Sequence, residues 1–135
     1  MEVVVWDDSL SVGVRQFDDE HKQLVNYINQ LNQALKIGGT DKTMEGILNG
    51  LVGYTKIHFK HEEDHMVLYD YPEFRSHKKE HDDLTAQVVD FQERFKSGGV
   101  KFSLELMIFL RDWLIKHIQN TDMRYKKFFS AKGIQ

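Results

Sequence analysis

Four stretches of this chain repeat apolar residues at three- and four-residue steps, and short polar or glycine-containing connections separate them. This period places each apolar set on one face of an α-helix. The repeating positions are Leu24, Val25, Ile28, Leu31 and Leu35, then Met44, Ile47, Leu48, Leu51 and Val52, then Phe74, Leu84, Val88, Phe91 and Phe95, and finally Leu106, Phe109, Leu110, Trp113 and Ile118. Connections this short join neighbouring antiparallel helices. The sequence therefore predicts an all-α fold, an antiparallel up-down-up-down four-helix bundle.

Capping residues, proline and glycine predict where the helices begin and end. The expected bounds are Asp18 or Asp19 to Gly38-Gly39, Thr40 or Asp41 to about residue 65, Asp70-Tyr71-Pro72-Glu73 to Ser97, and Ser103 onward, with a basic and aromatic tail at 125–129.

Residues 1–17 do not have the helical period. They are rich in β-branched valine and contain Gly13, which favours an extended N-terminal arm anchored by Trp6. We therefore expect a single domain over 1–135, with the arm at 1–17 and the bundle with its short tail at 18–130.

Composition excludes several classes of protein. A net charge of -3 provides no basic surface for nucleic acid, and the absence of Cys excludes disulfides, thiolate ligands and iron–sulfur clusters. No apolar run is long enough to cross a bilayer, and residues 1–8 lack the features of a signal peptide. The expected location is the cytoplasm, and no nucleic-acid or membrane partner is expected.

Two histidine motifs indicate a metal site. His58 and Glu62 lie four residues apart, as do His77 and His81, so each pair faces one direction on its helix. In the predicted topology the start of the first helix and the end of the fourth reach the same end of the bundle. His21 and His117 lie there, in phase with their apolar stripes. Topology and periodicity together therefore predict a buried cluster of five histidines.

Buried imidazoles need partners, and metal ions supply them. Five histidines with one or two carboxylates exceed a tetrahedral structural zinc site, so two bridged metals fit the count better. Imidazole and oxygen ligands suit Fe, Zn, Cu or Ni. Phe59, Trp113, Leu114 and Ile118 adjoin the ligands in sequence, which predicts an apolar pocket for a small uncharged ligand. Reversible gas binding is favoured over turnover.

The chain also resembles the hemerythrin family, in particular the bacterial hemerythrin domains, over nearly its whole length. The motifs that carry the resemblance are Trp6…Val12-Gly13-Val14, Asp18-x-x-His21-x-x-Leu24, His58-Phe59-x-x-Glu62-Glu63, His77-x-x-x-His81 and Trp113-Leu114-x-x-His117-x-x-x-x-Asp122.

The resemblance implies a non-haem di-iron centre bridged by an oxygen atom and by the carboxylates of Glu62 and Asp122. One iron would be held by three histidines and the other by two, with O2 binding at the open position of the second. The three are His77, His81 and His117, and the two are His21 and His58. The residues Phe59, Trp113, Leu114 and Ile118 fall where the family lines its oxygen pocket.

Four residues near this set are less certain from spacing or lie outside the family's ligand pattern. Asp122 follows His117 by five residues, which places it about 140° around a regular helix, so it needs a distorted or ending helix. His65 shares a face with His58, but the family pattern does not use it. His61 is expected at the surface, and Glu63 beside the ligands or in solvent.

The hypothesis is an oxygen-binding di-iron protein that transports, stores or senses O2 and is not an enzyme. The alternatives are a di-iron oxidase or peroxidase, a nitric-oxide or iron-handling protein, and a metal-free signalling bundle with one phosphorylatable histidine. Because the 135 residues contain no second domain, we expect a free-standing carrier or store. An O2-consuming partner protein would be required for delivery, and the sequence does not identify it.

Overall fold

The computed structural model describes residues 4–99 and 104–135. Its helices are α1 Arg15–Lys36, α2 Asp41–Leu68, α3 Phe74–Lys96, α4 Leu104–Lys116, a π-helical turn at His117–Asp122 and α5 Met123–Ala131, with a short 3-10 helix at Asp8–Leu10. The described residues contain no β-strand. α1 packs against α2 and α4, and α2 packs against α3. The predicted all-α bundle is confirmed, and α4, the π-turn and α5 form one continuous fourth rod.

The first helix begins earlier than the sequence predicted. α1 starts at Arg15, and its N-cap Val14 makes no side-chain capping bond. Asp18, expected as a cap, instead accepts hydrogen bonds from the Ser11 hydroxyl at 2.6 Å and the Val12 amide at 2.8 Å. The Asp18 carboxylate therefore joins the arm to α1 through these hydrogen bonds. The start of α1 is set by its junction with the arm and not by a capping side chain.

The N-terminal arm packs on the bundle. Val4, Leu10, Val12 and Val14 are buried in the core, and Trp6 packs partly buried against it. The Val4 amide and carbonyl both pair with the Asn29 side chain, at 3.0 and 2.8 Å. These contacts anchor the arm along α1.

The connection between α2 and α3 also differs from the prediction. α2 continues to Leu68, about a turn beyond the predicted end, and Asp70 then adopts a φ of 56°. The Tyr71 amide donates to the Met66 carbonyl at 2.8 Å, which ends the helix in the manner of a left-handed C-terminal cap. Pro72 therefore lies in the connecting turn, and α3 begins only at Phe74.

Other helix ends agree with the sequence. Gly38, with a φ of 71°, follows α1, and the Thr40 hydroxyl caps α2 by accepting from the Thr43 amide at 3.1 Å. Ser97 follows the last residue of α3. The predicted cap Ser103 lies outside the described residues.

The predicted basic and aromatic tail at 125–129 lies within helix α5, Met123–Ala131. Tyr125 and Phe129 are fully buried within it, against Phe17 of α1. The aromatic side chains of this segment thus supply core contacts at the end of the bundle where the histidines lie. Across the described residues, no helix is long and apolar enough to span a membrane.

Candidate metal centre

All seven predicted metal ligands meet in one buried cluster. They are contributed by α1, α2, α3 and the π-turn, and every one is less than 5% exposed: His21, His58, Glu62, His77, His81, His117 and Asp122. Their ligand atoms form two sets that share both carboxylates. We call them the His77 group (Glu62, His77, His81, His117 and Asp122) and the His21 group (His21, His58, Glu62 and Asp122).

Glu62 divides its two carboxylate oxygens between the groups. Its Oε1 lies 3.1 Å from His81 Nε2 and 3.6 Å from His77 Nε2. Its Oε2 lies 3.1 Å from His58 Nε2 and 3.3 Å from His21 Nε2. The carboxylate therefore spans the space between the two groups, as a bridging ligand would.

Asp122 divides its oxygens in the same way. Its Oδ1 lies 3.0 Å from the Nε2 atoms of both His77 and His117. Its Oδ2 lies 3.0 Å from His21 Nε2. The Asp122 carboxylate thus makes the second connection between the groups, parallel to that of Glu62.

These short contacts do not have the geometry of hydrogen bonds. The Nε2 atoms of all five histidines, together with Glu62 Oε1 and both Asp122 oxygens, are buried without a hydrogen-bond partner. Ligand atoms about 2.0–2.2 Å from one shared cation would lie at such mutual distances. Buried polar atoms normally have partners, so the cluster fits metal ions, which accept all of these lone pairs.

The π-turn explains how Asp122 reaches the cluster. Residues 117–122 adopt the wider π-helical winding, whose i→i+5 hydrogen bonding brings residues five apart onto one face. His117 and Asp122 therefore converge, and the 140° separation expected of a regular helix does not arise. The local distortion that the sequence reasoning required for Asp122 is this turn.

An outer set of carboxylates orients three of the histidines. Glu20 accepts from His58 Nδ1 at 2.7 Å, Glu63 from His81 Nδ1 at 2.8 Å, and Glu80 from His117 Nδ1 at 2.9 Å. A carboxylate only accepts, so Nδ1 carries the proton and Nε2 keeps its lone pair for the cluster. Glu20 lies on α1, Glu63 on α2 and Glu80 on α3, and each orients a histidine on a later element of the chain.

Sequence reasoning found only one of these outer acids. Glu63 was expected beside the ligands or in solvent, whereas Glu20 and Glu80 were missed. The signal was available, since Glu20 directly precedes His21 and Glu80 directly precedes His81. A residue one position before an inward-facing ligand lies at the side of that ligand on the helix surface. From there Glu20 and Glu80 reach the Nδ1 atoms of His58 and His117 on neighbouring elements.

Two further histidines lie close to the cluster without joining it. His61, predicted at the surface, is only partly exposed, and its Nδ1 donates to Glu20 in a short hydrogen bond. His65 Nδ1 contacts the His61 carbonyl at 3.0 Å, and its ring packs 5.0 Å from Phe17. Neither histidine belongs to the two groups.

Tyr125 makes a contact with the cluster that the sequence did not predict. Its hydroxyl donates to Glu62 Oε2 at 2.6 Å, and the side chain is fully buried. Burial and the charge of Glu62 raise the pKa of this phenol well above its ordinary value, so it remains a donor. Tyr125 therefore anchors the carboxylate oxygen that faces the His21 group.

The electrostatic field of the cluster favours positive charge. Burial alone would lower the pKa of His117, but Asp122 and Glu80 outweigh it and raise the pKa to about 10. The pKa values of His58 and His77 rise to about 9, again against burial and because of the surrounding carboxylates. Burial would raise the pKa values of Glu62 and Asp122, yet the histidines hold both well below the ordinary range. This field equally favours a bound cation.

The four residues predicted to line the pocket are all buried. Phe59 stacks on His81, with ring centroids 3.8 Å apart, and its ring lies 5.5 Å from that of His117. Trp113 is 7% exposed, Leu114 3% and Ile118 fully buried, on the turns of α4 and the π-turn next to His117. Their role as an oxygen pocket remains a prediction.

Fold and site together define a four-helix-bundle protein with a buried two-cation centre at one end. The family model described as "Hemerythrin HHE cation binding domain" matches residues 12–129. The chain belongs to the hemerythrin family.

Named relatives cover most of the chain. A bacteriohemerythrin of Methylococcus capsulatus is 34% identical over 114 residues, covering 84% of this chain and 86% of the relative. Myohemerythrin-1 of Phascolopsis gouldii is 35% identical over 127 residues, covering 93% of each chain. A crystal structure of wild-type hemerythrin superposes with a TM-score of 0.86 at 31% identity, covering 93% of this chain and 96% of that one.

Proposed function

We propose that this protein binds O2 reversibly at two iron ions, one in the His77 group and one in the His21 group. The observation that carries the proposal is the unequal division of the ligands. Five protein ligand atoms surround one position and four surround the other, and both groups share the same two carboxylates. Five ligands exceed the tetrahedral set of a structural zinc site and suit a six-coordinate metal such as iron.

When bound, an iron pair supplies reducing electrons and an open coordination position for O2. The protein residues determine where that position lies. The His21 group has one ligand fewer than the His77 group, so an ion held by the His21 group would have the open position. Glu20 fixes the ring orientation of His58 there, and Tyr125 holds the shared oxygen of Glu62.

The buried apolar residues support reversibility. Phe59, Leu114 and Ile118 are buried beside the ligands, and an apolar wall of this kind excludes water. Water and protons would promote release of a reduced oxygen species and irreversible oxidation of the metal. The Tyr125 hydroxyl is already engaged in its hydrogen bond to Glu62. We therefore propose a carrier or store that does not transform an organic substrate.

An anaerobic O2 titration tests the proposal. The purified protein should hold two irons per chain, and the reduced, colourless form should gain visible charge-transfer absorption with O2 and lose it on deoxygenation. A single zinc per chain would contradict the di-iron centre. Oxidation that does not reverse within one cycle would instead indicate an oxidase or peroxidase.

Two substitutions on one face of α2 provide a matched comparison. His58→Gln removes a ligand of the His21 group, so we expect fewer than two irons per chain and no reversible absorption. His65→Gln, seven residues later, alters a histidine outside both groups and should leave two irons and O2 binding intact. Equal iron loss in both variants would refute the assignment of His58. The cytoplasmic location stays a prediction, which cell fractionation would test.

A further inference from the structure

We infer that Glu80 is a positioning residue that holds the π-turn in place and so aligns His117 and Asp122 together. Glu80 itself lies outside both ligand groups. The role inferred for Glu80 rests on the proposed function only in the measurement of iron affinity. The conformation of the π-turn can be measured without reference to O2.

Glu80 bonds the π-turn at two positions through one oxygen atom. Its Oε1 accepts from His117 Nδ1 at 2.9 Å and from the Thr121 hydroxyl at 2.6 Å. These donors lie at the first and fifth residues of the six-residue turn. Thr121 immediately precedes Asp122, so the second bond fixes the backbone that presents this carboxylate.

The π-turn needs such support more than a regular helix does. The π-helical winding is rare and occurs mostly as single turns within α-helices, frequently at functional sites. Relaxation to the α-helical winding would rotate Asp122 away from His117 by about 140° and remove the second bridging carboxylate. Residues four apart share a face in the α-helical winding too, so the Glu80 contact acts by fixing the first and fifth residues of the turn against α3.

Glu80 is placed to connect two sets of ligands. It lies on α3 between His77 and His81, and its carboxylate reaches the fourth rod. The α3 histidines and the π-turn ligands belong to the same His77 group. A displacement of α3 relative to the fourth rod would therefore break the Glu80 contacts and open that group at once.

The other outer carboxylates act differently. Glu63 contacts one ligand, His81, and does not contact the π-turn. Glu20 receives donors from His58 and His61, but both lie on the regular helix α2, whose own backbone hydrogen bonds maintain their spacing. Glu80 alone among these three acids bridges residues of the π-turn.

Amide hydrogen exchange of residues 117–122, measured by mass spectrometry on the full iron-loaded chain, tests the inference. Glu80→Ala should raise exchange in this segment at least about tenfold and lower iron affinity, measured against a chelator, by about 10- to 100-fold. Glu80→Gln keeps an oxygen acceptor for both donors and should restore exchange to near the parent rate. Thr121→Val should raise exchange in the segment while two irons per chain remain bound.

Glu63→Ala is the matched control, because it removes an equivalent carboxylate from a ligand that is not in the π-turn. It should lower iron affinity and leave exchange at 117–122 unchanged. Equal exchange in Glu80→Ala and Glu63→Ala would overturn the inference, as would parent-like exchange in Thr121→Val. If Glu80→Ala does not fold, Thr121→Val and Glu80→Gln decide the question. A chain that binds no iron would contradict the proposed function, whereas the exchange comparison would still decide the role of Glu80.

Discussion

The buried hydrogen bond from Tyr125 to Glu62 should make a measurable contribution to stability. Tyr125→Phe removes one hydroxyl and keeps the ring. The ring packs 5.1 Å from Phe129, 5.7 Å from Phe17 and, stacked, 5.7 Å from His77, measured between centroids. Because these contacts survive, the substitution isolates the bond to the carboxylate.

The expected loss follows from the kind of bond removed. A hydrogen bond to a charged group contributes about 1.5–3 kcal/mol, and full burial of both partners places this one within that range. The entropy of unfolding of a chain this size is about 0.28 kcal/mol/K, from about 2.1 cal/mol/K per residue. We therefore expect the melting temperature of the iron-loaded protein to fall by about 5–10 °C.

Calorimetry at equal iron loading measures this change, and Tyr71→Phe is its control. The Tyr71 hydroxyl donates to Glu73 at 3.0 Å, but Glu73 is exposed, so water can replace the lost bond. That variant should lose no more than about 1 kcal/mol. A melting temperature for Tyr125→Phe within about 2 °C of the parent, or equal to that of Tyr71→Phe, would refute the reasoning.

Three further perturbations have definite expected outcomes. Leu114→Ala should admit water beside the ligands and speed autoxidation of the oxygenated protein, whereas Leu110→Ala, a turn earlier and equally buried, should cost similar stability without that effect. Gly50→Ala should destabilise the protein by about 1–3 kcal/mol, since the added Cβ would lie 2.7 Å from the Tyr27 ring. A Cβ at Gly53 would meet no neighbouring atom, so Gly53→Ala should stabilise the protein by about 0.5–1 kcal/mol. Urea unfolding measures both changes. In the metal-free protein the free energy of unfolding should fall as pH rises from about 7 to 10. The cluster histidines have pKa values raised to about 9–10 in the folded state. The stability that they contribute is therefore complete below the ordinary pKa of 6.5 and is lost as pH rises through the raised pKa values. The iron-loaded protein, whose imidazoles bind metal unprotonated, should show no such fall, and identical pH profiles would contradict this account.

Periodicity predicted much of the fold because burial of the apolar stripes dominates the packing of a helical bundle. The same reasoning predicted that His21, His58, His77, His81 and His117 would meet, and the structure brings them together. Topology sufficed for these histidines because each lies in phase with the apolar stripe of its helix, His117 directly after the last residue of α4.

Features that depend on contacts between helices could not be predicted in this way. At α-helical winding, Asp122 would face away from His117, so only the family resemblance predicted Asp122 as a ligand. The π-turn brings the two residues together. Asp18 fits a helix cap in sequence, but its bonds to the arm are tertiary. Tyr125 was predicted to lie in a basic and aromatic tail, because the mixture of Lys and aromatic residues at 125–129 does not reveal that its phenol lies inside the bundle. In each case a contact or winding that the periodic pattern does not contain decides the outcome.

The division of the Glu62 and Asp122 oxygens between the two groups makes the two metal positions interdependent. A first cation would fix the rotamers of both carboxylates. The second ion would then bind at a lower cost in side-chain entropy, because these two ligands are already ordered. Loading should consequently be cooperative, with chains holding either two ions or none. The same coupling means that a change in either histidine set is transmitted to the other through two rigid carboxylates. Neither half of the centre can be altered independently of its neighbour.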